Sequence, residues 1–481
     1  MKALPWRWIL PAIALKVALN LSVADRYGWH RDELYYRDAG LHPAAGYVDF
    51  PPVTAWLARL SHALFGDSLV GLRSFAILAG VGVIVVACLI CRRLGGGTTA
   101  LAVTAFGAAF TPFLLGANAM FQTVSFDQLA WALVFLAAIT VADRPTTGHW
   151  ALLGAAVGLA LMTKYTSVVL IAGLLAGYAV ASPRLLRDRG LALAGAIALA
   201  IVVPNLVWQM SHDWASVDFI IHPPPSASDE TRPEFLVNLF LLTGPAAAVL
   251  AIAGFRRLWR SPSYRALAIA SAFVPVAFFV TGGKSYYVIP VLIALIPAGA
   301  VTVERSVAAG RRWVLPALAV LAFGFLVPAL PLLLPVRSEH YLATSSLWED
   351  REDWAEQVGW PELAEHAARA YRASGRPGAI VTGDYGEAGA IDLYGPDLGL
   401  PPALSHYVTH RYWGPGRFAS ARTALLVGFE PPQVARLCAS YRVVDRIRNH
   451  LGIHNEEWGQ ALVDCRLRAP LGEMWSRVPA S

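Results

Sequence analysis

Apolar runs of about 18 or more residues recur through the first two-thirds of this chain, and each is long enough to cross a hydrocarbon layer about 30 Å thick at about 1.5 Å per residue. Runs centred near Leu15, Ile84, Phe106, Phe135, Leu159, Gly173, Leu199, Val249, Phe273, Leu295 and Leu321 give about eleven spans. A soluble fold has no use for so much contiguous apolar sequence. Composition agrees: of 481 residues, 56% are hydrophobic and 15% charged. The expected fold class is a polytopic α-helical membrane protein, followed from about residue 337 by a water-soluble α/β domain.

The formal net charge of +6 follows from topology. Arg92 and Arg93, then Arg144, then Arg184, Arg187 and Arg189, then Arg256, Arg257, Arg260 and Arg265, then Arg305, Arg311 and Arg312 fall on every second connection. The positive-inside rule puts those connections, and the N-terminus, in the cytoplasm. The opposite set faces out: residues 25–61, 117–127, a turn at Lys164, residues 211–234, a turn at Gly282-Gly283-Lys284, and everything after about Arg337. An odd number of spans then leaves residues 337–481 extracytoplasmic, with residues 1–336 as the membrane domain of a bacterial inner membrane protein. No basic patch is interleaved with aromatics on a soluble face, so nucleic acid is not an expected partner. Met1 to about Ala24 has the basic start and apolar stretch of a signal peptide, but the parity of the remaining spans favours an uncleaved first span.

Within the first outer segment, Val53 to Phe65 places Trp56, Leu60, Leu64 and Phe65 on one face at helical spacing, which predicts an amphipathic helix along the membrane surface after the Pro51-Pro52 stop. In the soluble portion a charged helical stretch ends near Ala373. Strands are expected at Ala379 to Thr382, Ala424 to Val427, and near Val443 and Leu462, with helices over Glu387 to Leu393 and Gln433 to Ala439, in a mostly parallel sheet. Cys88 and Cys91 read as packed helix residues; an extracytoplasmic location would permit a Cys438–Cys465 disulfide.

Ionisable groups near a membrane boundary are costly without a partner or a task. Asp32 and Glu33, within Trp29-His30-Arg31-Asp32-Glu33-Leu34-Tyr35-Tyr36, suit a general base beside a sugar acceptor, or else a solvated loop paired with Arg31 and Arg37. Asp127 suits a site acid or a helix N-cap. Lysine occurs at Lys2, Lys16, Lys164 and Lys284, so a chain that otherwise uses arginine keeps lysine at two outer turns. Cations there would stabilise a departing phosphate, or else snorkel at helix ends. Asn205-Leu206-Val207-Trp208-Gln209-x-x-His212 and Pro223-Pro224-Pro225 are expected to border the cavity, and Trp208 and Trp214 suit sugar stacking or an interfacial belt.

The block Asp32-Glu33-x-Tyr35, followed by Pro51-Pro52, Trp56, Phe65-Gly66 and Arg73, resembles the opening of the dolichyl-phosphate-mannose protein mannosyltransferase superfamily, glycosyltransferase family 39. Those enzymes have the GT-C fold, and the lipid A aminoarabinose transferase is a relative. Gln122 to Asp127, Leu161-Met162-Thr163-Lys164-Tyr165 and Lys284-Ser285-Tyr286-Tyr287-x-x-Pro290 resemble later family segments. The resemblance implies Asp32 as base, Glu33 as a positioning acid, Lys164, Lys284, Tyr287 and Arg73 at the donor phosphate, and Asp127, Tyr35 and His30 next to substrate or metal. A basic residue commonly precedes the double proline in that family; Phe50 stands there in this chain. The implied donor is a polyprenyl-phosphate sugar and the acceptor a lipid, glycan or protein hydroxyl, with inversion at the anomeric carbon. A divalent metal at Asp32, Glu33 and Asp127 is compatible with hard oxygen ligands, and no spacing demands one. The rival classes are a lipid or sugar transporter and a non-catalytic envelope assembly protein. Gly383-Asp384-Tyr385-Gly386-Glu387-Ala388, after a predicted strand, recurs in bacterial members with this tail and has no assigned role.

Overall fold

The computed structural model describes residues 4–222 and 230–478; the expected Pro223-Pro224-Pro225 border of the cavity lies outside the described residues. Helix α1 (Trp6–Leu21) is followed by two helices of the first long connection, α2 (Arg31–Leu41) and α3 (Val53–Phe65). Then come α4 (Leu69–Arg93), α5 (Thr98–Phe110), α6 (Thr123–Asp143), α7 (Thr147–Leu161), α8 (Ser167–Ala181) and α9 (Arg189–Ser211). The bundle ends with α10 (Arg232–Thr243), α11 (Pro245–Arg260), α12 (Arg265–Thr281), α13 (Leu292–Ala308) and α14 (Val314–Leu333).

Each of the eleven expected segment centres lies in one of these helices, but length divides them. α4, α6, α9, α14 and the continuous stretch Ser285–Ala308, a 3-10 turn leading into α13, are each long and apolar enough to cross a membrane; α10 and α11 qualify only as a pair bent by 96°. α1, α5, α7, α8 and α12 have 16, 13, 15, 15 and 17 residues, short of the roughly 20 a full crossing needs. The apolar runs of the sequence extend past those helices because Pro112 interrupts one, and residues 162–166 leave the helix to turn.

The connections gather at two ends. At the arginine-rich end, Arg93 lies 3.6 Å from Asp143, Arg257 donates to the Leu94 carbonyl, and Glu304 accepts from the backbone N–H groups of Gly97, Thr99 and Ala100. That last contact satisfies the otherwise unpaired start of α5. At the opposite end lie α2, α3 and the turns at Lys164 and Lys284. α3 has the bounds expected from its pattern, and its outward stripe stays exposed: Trp56, Leu60, Leu64 and Phe65 are 43–61% accessible.

Small residues let the helices approach closely. A Cβ on Gly254 of α11 would lie 2.0 Å from the Leu295 carbonyl of α13, and one on Gly299 of α13 would lie 2.0 Å from the Leu250 carbonyl of α11. This reciprocal contact is how apolar helices associate in lipid, where backbone proximity and van der Waals packing replace the hydrophobic effect.

Beyond the bundle, α15 (Trp360–Ala373) and α16 (Tyr385–Tyr394) pack beside a five-stranded sheet, β1 (Ala379–Thr382), β2 (Ala403–Ser405), β3 (Thr423–Val427), β4 (Cys438–Arg446) and β5 (Ala461–Leu467), in order β2-β1-β3-β5-β4. β1 runs parallel to β2 and β3, whereas β5 runs antiparallel to both β3 and β4. The sheet is therefore mixed and not mostly parallel. A parallel neighbour needs a crossover, which α16 supplies between β1 and β2; the 447–460 connection between β4 and β5 has no helix and simply reverses the chain. Cys438 and Cys465 are joined as a disulfide linking β4 to β5, with Cα atoms 5.6 Å apart.

Gly299→Val is expected to destabilise the detergent-solubilised protein by about 1–3 kcal/mol or more through overpacking. Gly195→Ala on α9, where a Cβ would meet nothing within 4 Å, is expected to leave it unchanged. Thermal aggregation midpoints of the two variants check this.

Candidate active site

The stretch expected as an acidic loop is helix α2, and its start decides what each carboxylate can do. His30 is the N-cap: its Nδ1 accepts from the Asp32 N–H at 3.1 Å, and Glu33 Oε2 accepts from the His30 N–H at 2.9 Å, a capping box with histidine in the usual Ser/Thr place. Successive helical residues point about 100° apart, so Asp32 and Glu33 face different surroundings.

Glu33 is fully buried, and both its oxygens are filled. Oε1 accepts from Arg73 Nε (2.9 Å) and the Phe121 N–H (2.8 Å), and Oε2 from Arg73 Nη2 (2.8 Å) as well as His30. Burial opposes its charge, yet Arg73 and those backbone donors outweigh the penalty and hold the carboxyl below its usual range. Arg73, itself 0% exposed, spends its other N–H groups on the Ala24 and Gly28 carbonyls and on Gln357 Oε1. Two expectations are corrected here. Glu33 has no lone pair left for a metal or substrate, and Arg73 is fully buried with its fork on Glu33, not placed to receive a phosphate. His30 is likewise structural: its Nε2 lies 3.0 Å from Glu356 Oε2. Glu356, with Asp32 and Asp353, pulls its pKa up against burial, and because Nδ1 accepts the Asp32 N–H, the ring proton sits on Nε2, facing Glu356.

Asp32 points the other way and is half-buried. Tyr385 of α16 donates its OH to Asp32 Oδ1 at 2.8 Å; among the described residues no other group donates a hydrogen bond to this side chain. Across the site, Lys164 Nζ sits 5.1 Å and 4.7 Å from the ring centroids of Tyr286 and Tyr287, and the charges acting on it are those of Asp127, Lys284 and Asp32. Lys164 is thus within electrostatic reach of Asp127, Lys284 and Asp32 at one end of the bundle. Tyr287 serves as the face on which Lys164 rests. The Lys284 turn is fixed by Glu230, which accepts from Ser285 N–H at 2.8 Å and Ser285 Oγ at 2.9 Å. Asp127 lies past the first turn of α6, where the N-cap is Gln122, so it does not cap the helix; its Oδ1 instead accepts from Ser167 Oγ at 3.4 Å.

Tyr35 donates its OH to Asp49 Oδ1 at 2.6 Å, accepts from Thr409 Oγ1 at 2.8 Å, and stacks on Tyr385 with centroids 4.6 Å apart. Asp49, which pattern reading missed, is thereby a second carboxyl in the site. Burial, partly offset by the Tyr35 hydrogen bond and reinforced by Asp32, pushes it up to about 7. Phe50 beside it is buried, stacked at 4.8 Å on Tyr47. Asn205 and Gln209 are buried around the Tyr165 hydroxyl, with Asn205 Nδ2 reaching the Ala45 carbonyl at 3.0 Å, and so tie α9 to the first connection. The face of Trp208 is taken by His212 at 4.1 Å, whereas Trp214 is exposed. A metal shared by Asp32, Glu33 and Asp127 does not fit, since Glu33 is saturated, and no grouping of three or more His, Cys, Asp or Glu side chains suited to a metal occurs among the described residues.

The whole architecture matches solved structures of ArnT from Cupriavidus metallidurans, in the apo state (TM-score 0.64, 16% identity, 96% of this chain and 98% of that one) and bound to undecaprenyl phosphate (TM-score 0.61, 17% identity, 97% and 99%). The chain has the GT-C fold of ArnT. A family model described as dolichyl-phosphate-mannose-protein mannosyltransferase matches residues 49–208. In sequence the chain is 26% identical over 207 residues to lipid A galacturonosyltransferase RgtD of Rhizobium johnstonii, covering 42% of each. It is 27% identical over 332 residues to undecaprenyl phosphate-alpha-4-amino-4-deoxy-L-arabinose arabinosyl transferase 1 of Pseudomonas fluorescens, covering 60% of this chain and 56% of that protein. The chain thus matches about half the length of these curated relatives. Within this GT-C fold, the matched residues 49–208 carry Asp49, Asp127 and Lys164, while Asp32, Lys284 and Tyr385 lie outside them.

Two outcomes follow from the site's electrostatics. Arg73→Lys keeps a charge but not the forked donors, and is expected to cost a large part of the about 3–5 kcal/mol typical of breaking a buried pair, read as a lowered unfolding midpoint. Asp49 loses its proton near pH 4 when unfolded but only near pH 7 when folded, so its burden on the fold is absent below pH 4, grows between the two values and is complete above 7. Asp49→Asn should therefore raise the unfolding midpoint relative to the parent at pH 8 and leave it unchanged at pH 4.

Proposed function

We propose that this chain is a membrane glycosyltransferase that moves a sugar from a polyprenyl-phosphate donor to an acceptor hydroxyl. The observation that carries the reading is the single carboxylate of Asp32, with one oxygen held by Tyr385, within electrostatic reach of Lys164, whose amine is in turn within reach of Lys284. Asp32 takes the proton of the acceptor hydroxyl as its oxygen attacks the anomeric carbon. The bond from that carbon to the phosphate oxygen breaks, and the polyprenyl phosphate leaves with the added negative charge. Lys164 and Lys284 stabilise that charge more in the transition state than in the bound donor, which is what accelerates the step. One base and one displacement invert the anomeric centre. Asp127 and Tyr287 keep Lys164 in place, and Tyr35 does the same for Asp49.

The sidedness belongs to the same reading. Residues 1–336 form the membrane domain, crossing an odd number of times with the shorter helices counted, and residues 337–481 form an extracytoplasmic domain. The N-terminus and the arginine-rich end face the cytoplasm of a bacterial inner membrane, as the charge distribution requires. The Cys438–Cys465 disulfide supports an oxidising compartment for the C-terminal part. The exposed apolar stripe of α3 lies in the outer interface, where a lipid donor arrives. The relatives named for lipid A and for undecaprenyl phosphate sugars favour an undecaprenyl-phosphate donor and a lipid among the lipid, glycan and protein acceptors.

Asp32→Asn is expected to abolish release of undecaprenyl phosphate from a panel of undecaprenyl-phosphate sugars in acceptor-containing vesicles, by about a hundredfold or more, a loss in the range of a removed general base. Donor binding should survive. Unchanged release would remove Asp32 from the reaction.

A further inference from the structure

The mechanism above needs Asp32 held in one orientation, yet no group of the membrane bundle holds its side chain among the described residues. The holding group comes from the C-terminal part. Two consecutive residues at the start of α2 are paired with two consecutive residues at the start of α16: Arg31 Nη2 lies 2.8 Å from Asp384 Oδ2, and Tyr385 OH donates to Asp32 Oδ1 at 2.8 Å. Asp384 is itself the N-cap of α16, closing a capping box with Glu387. The backbone turn that presents the tyrosine is therefore built by the residue that binds Arg31.

Sequence makes the close approach possible. A Cβ on Gly389 would lie 2.7 Å from Leu34 Cβ, and one on Gly386 would lie 3.1 Å from Arg31 Cβ. Larger residues there would push α16 off α2 and draw the phenol away from the carboxylate. Nor can the Tyr385 ring swing. It stacks between Tyr35 at 4.6 Å and Tyr407 at 5.7 Å, and the Arg31 guanidinium stands 5.3 Å from its centroid. Burial raises the phenol's pKa well above its ordinary value, so it remains a donor throughout the working pH range.

We infer that Tyr385 is a positioning residue for the reaction: its hydroxyl locks Asp32 Oδ1, leaves Oδ2 for the acceptor hydroxyl, and makes the C-terminal domain part of the catalytic machinery. The inference rests on the reading of Asp32 as the base. It gives a role to the Gly383 to Ala388 string, which is to carry that phenol to the carboxylate. A donor hydrogen bond favours the ionised carboxylate, so removing it has a signed consequence: the acid limb of the rate profile moves to higher pH.

The test is Tyr385→Phe, which deletes one oxygen and keeps the aromatic column. Turnover of undecaprenyl-phosphate sugars is expected to fall about ten- to hundredfold, the range for losing a hydrogen bond to a charged group. The donor KM and the unfolding midpoint should stay put, and the acid limb should shift upward. In parallel, Asp32 is labelled across pH with a water-soluble carbodiimide and an amine, read by peptide mass spectrometry, a measurement that needs no turnover. Tyr385→Phe should carry Asp32 labelling to higher pH. An unchanged labelling profile with unchanged turnover overturns the inference. If the parent protein consumes no donor but the labelling shift is present, the contact stands and the glycosyl-transfer reading falls. If labelling shifts while a turning-over enzyme keeps its kcat and pH profile, Tyr385 does not position the base and the inference also falls.

Discussion

The buried Glu33–Arg73 pair is the interaction on which the site depends. Four hydrogen bonds enter one carboxylate, and one guanidinium, carried by α4, reaches the residue 24–33 segment and Gln357 of the C-terminal part. Two desolvated charges gain little net stability against apolar side chains of similar size. What they supply is geometry, because each partner accepts only one arrangement of many separate backbone segments. That arrangement starts α2, and the helical rotation between adjacent residues then turns Asp32 away from Glu33 and toward the lysines.

A second layer of order comes from the C-terminal part, which docks on the same end of the bundle through Arg31 and α16. Arg31 is paired with Glu356, Asp384 and Glu456, so the start of α2 is gripped from both sides. Tyr35 and Tyr385, stacked on each other, each donate to one carboxyl, Asp49 and Asp32 respectively. The result is a preorganised pair of acids, one of which, Asp32, lies within electrostatic reach of Lys164. Such an arrangement does not have to reorganise as charge moves during reaction.

Much of this was legible in the sequence. Apolar periodicity located every bundle helix but α10, and the amphipathic pattern located α3 to the residue, because both signals are local. The two outer lysines stood out against a background of arginine. Span length was less legible, since a Pro or a turn residue ends a helix without making the run any less apolar, as at Pro112. The role of Glu33 was missed for a simple geometric reason: reading Asp32 and Glu33 as a couple assumes a loop, whereas histidine, an unusual N-cap, begins a helix there. Arg73 lay 40 positions from its partner, and Tyr385 lay 353 positions from Asp32. No local pattern carries such pairings. The glycines of the Gly383 to Ala388 string marked a close approach, but not what would be approached.

The proposed convergence of Asp32, Lys164 and Lys284 on one donor phosphate is tested most directly by phosphorus NMR of undecaprenyl phosphate in nanodiscs holding the purified protein. The account predicts a phosphate resonance shifted by the parent protein and by Asp32→Asn, and returned to its free position by the combined Lys164→Met and Lys284→Met changes. A resonance that the parent never moves, or one that moves equally with both lysines gone, would contradict it.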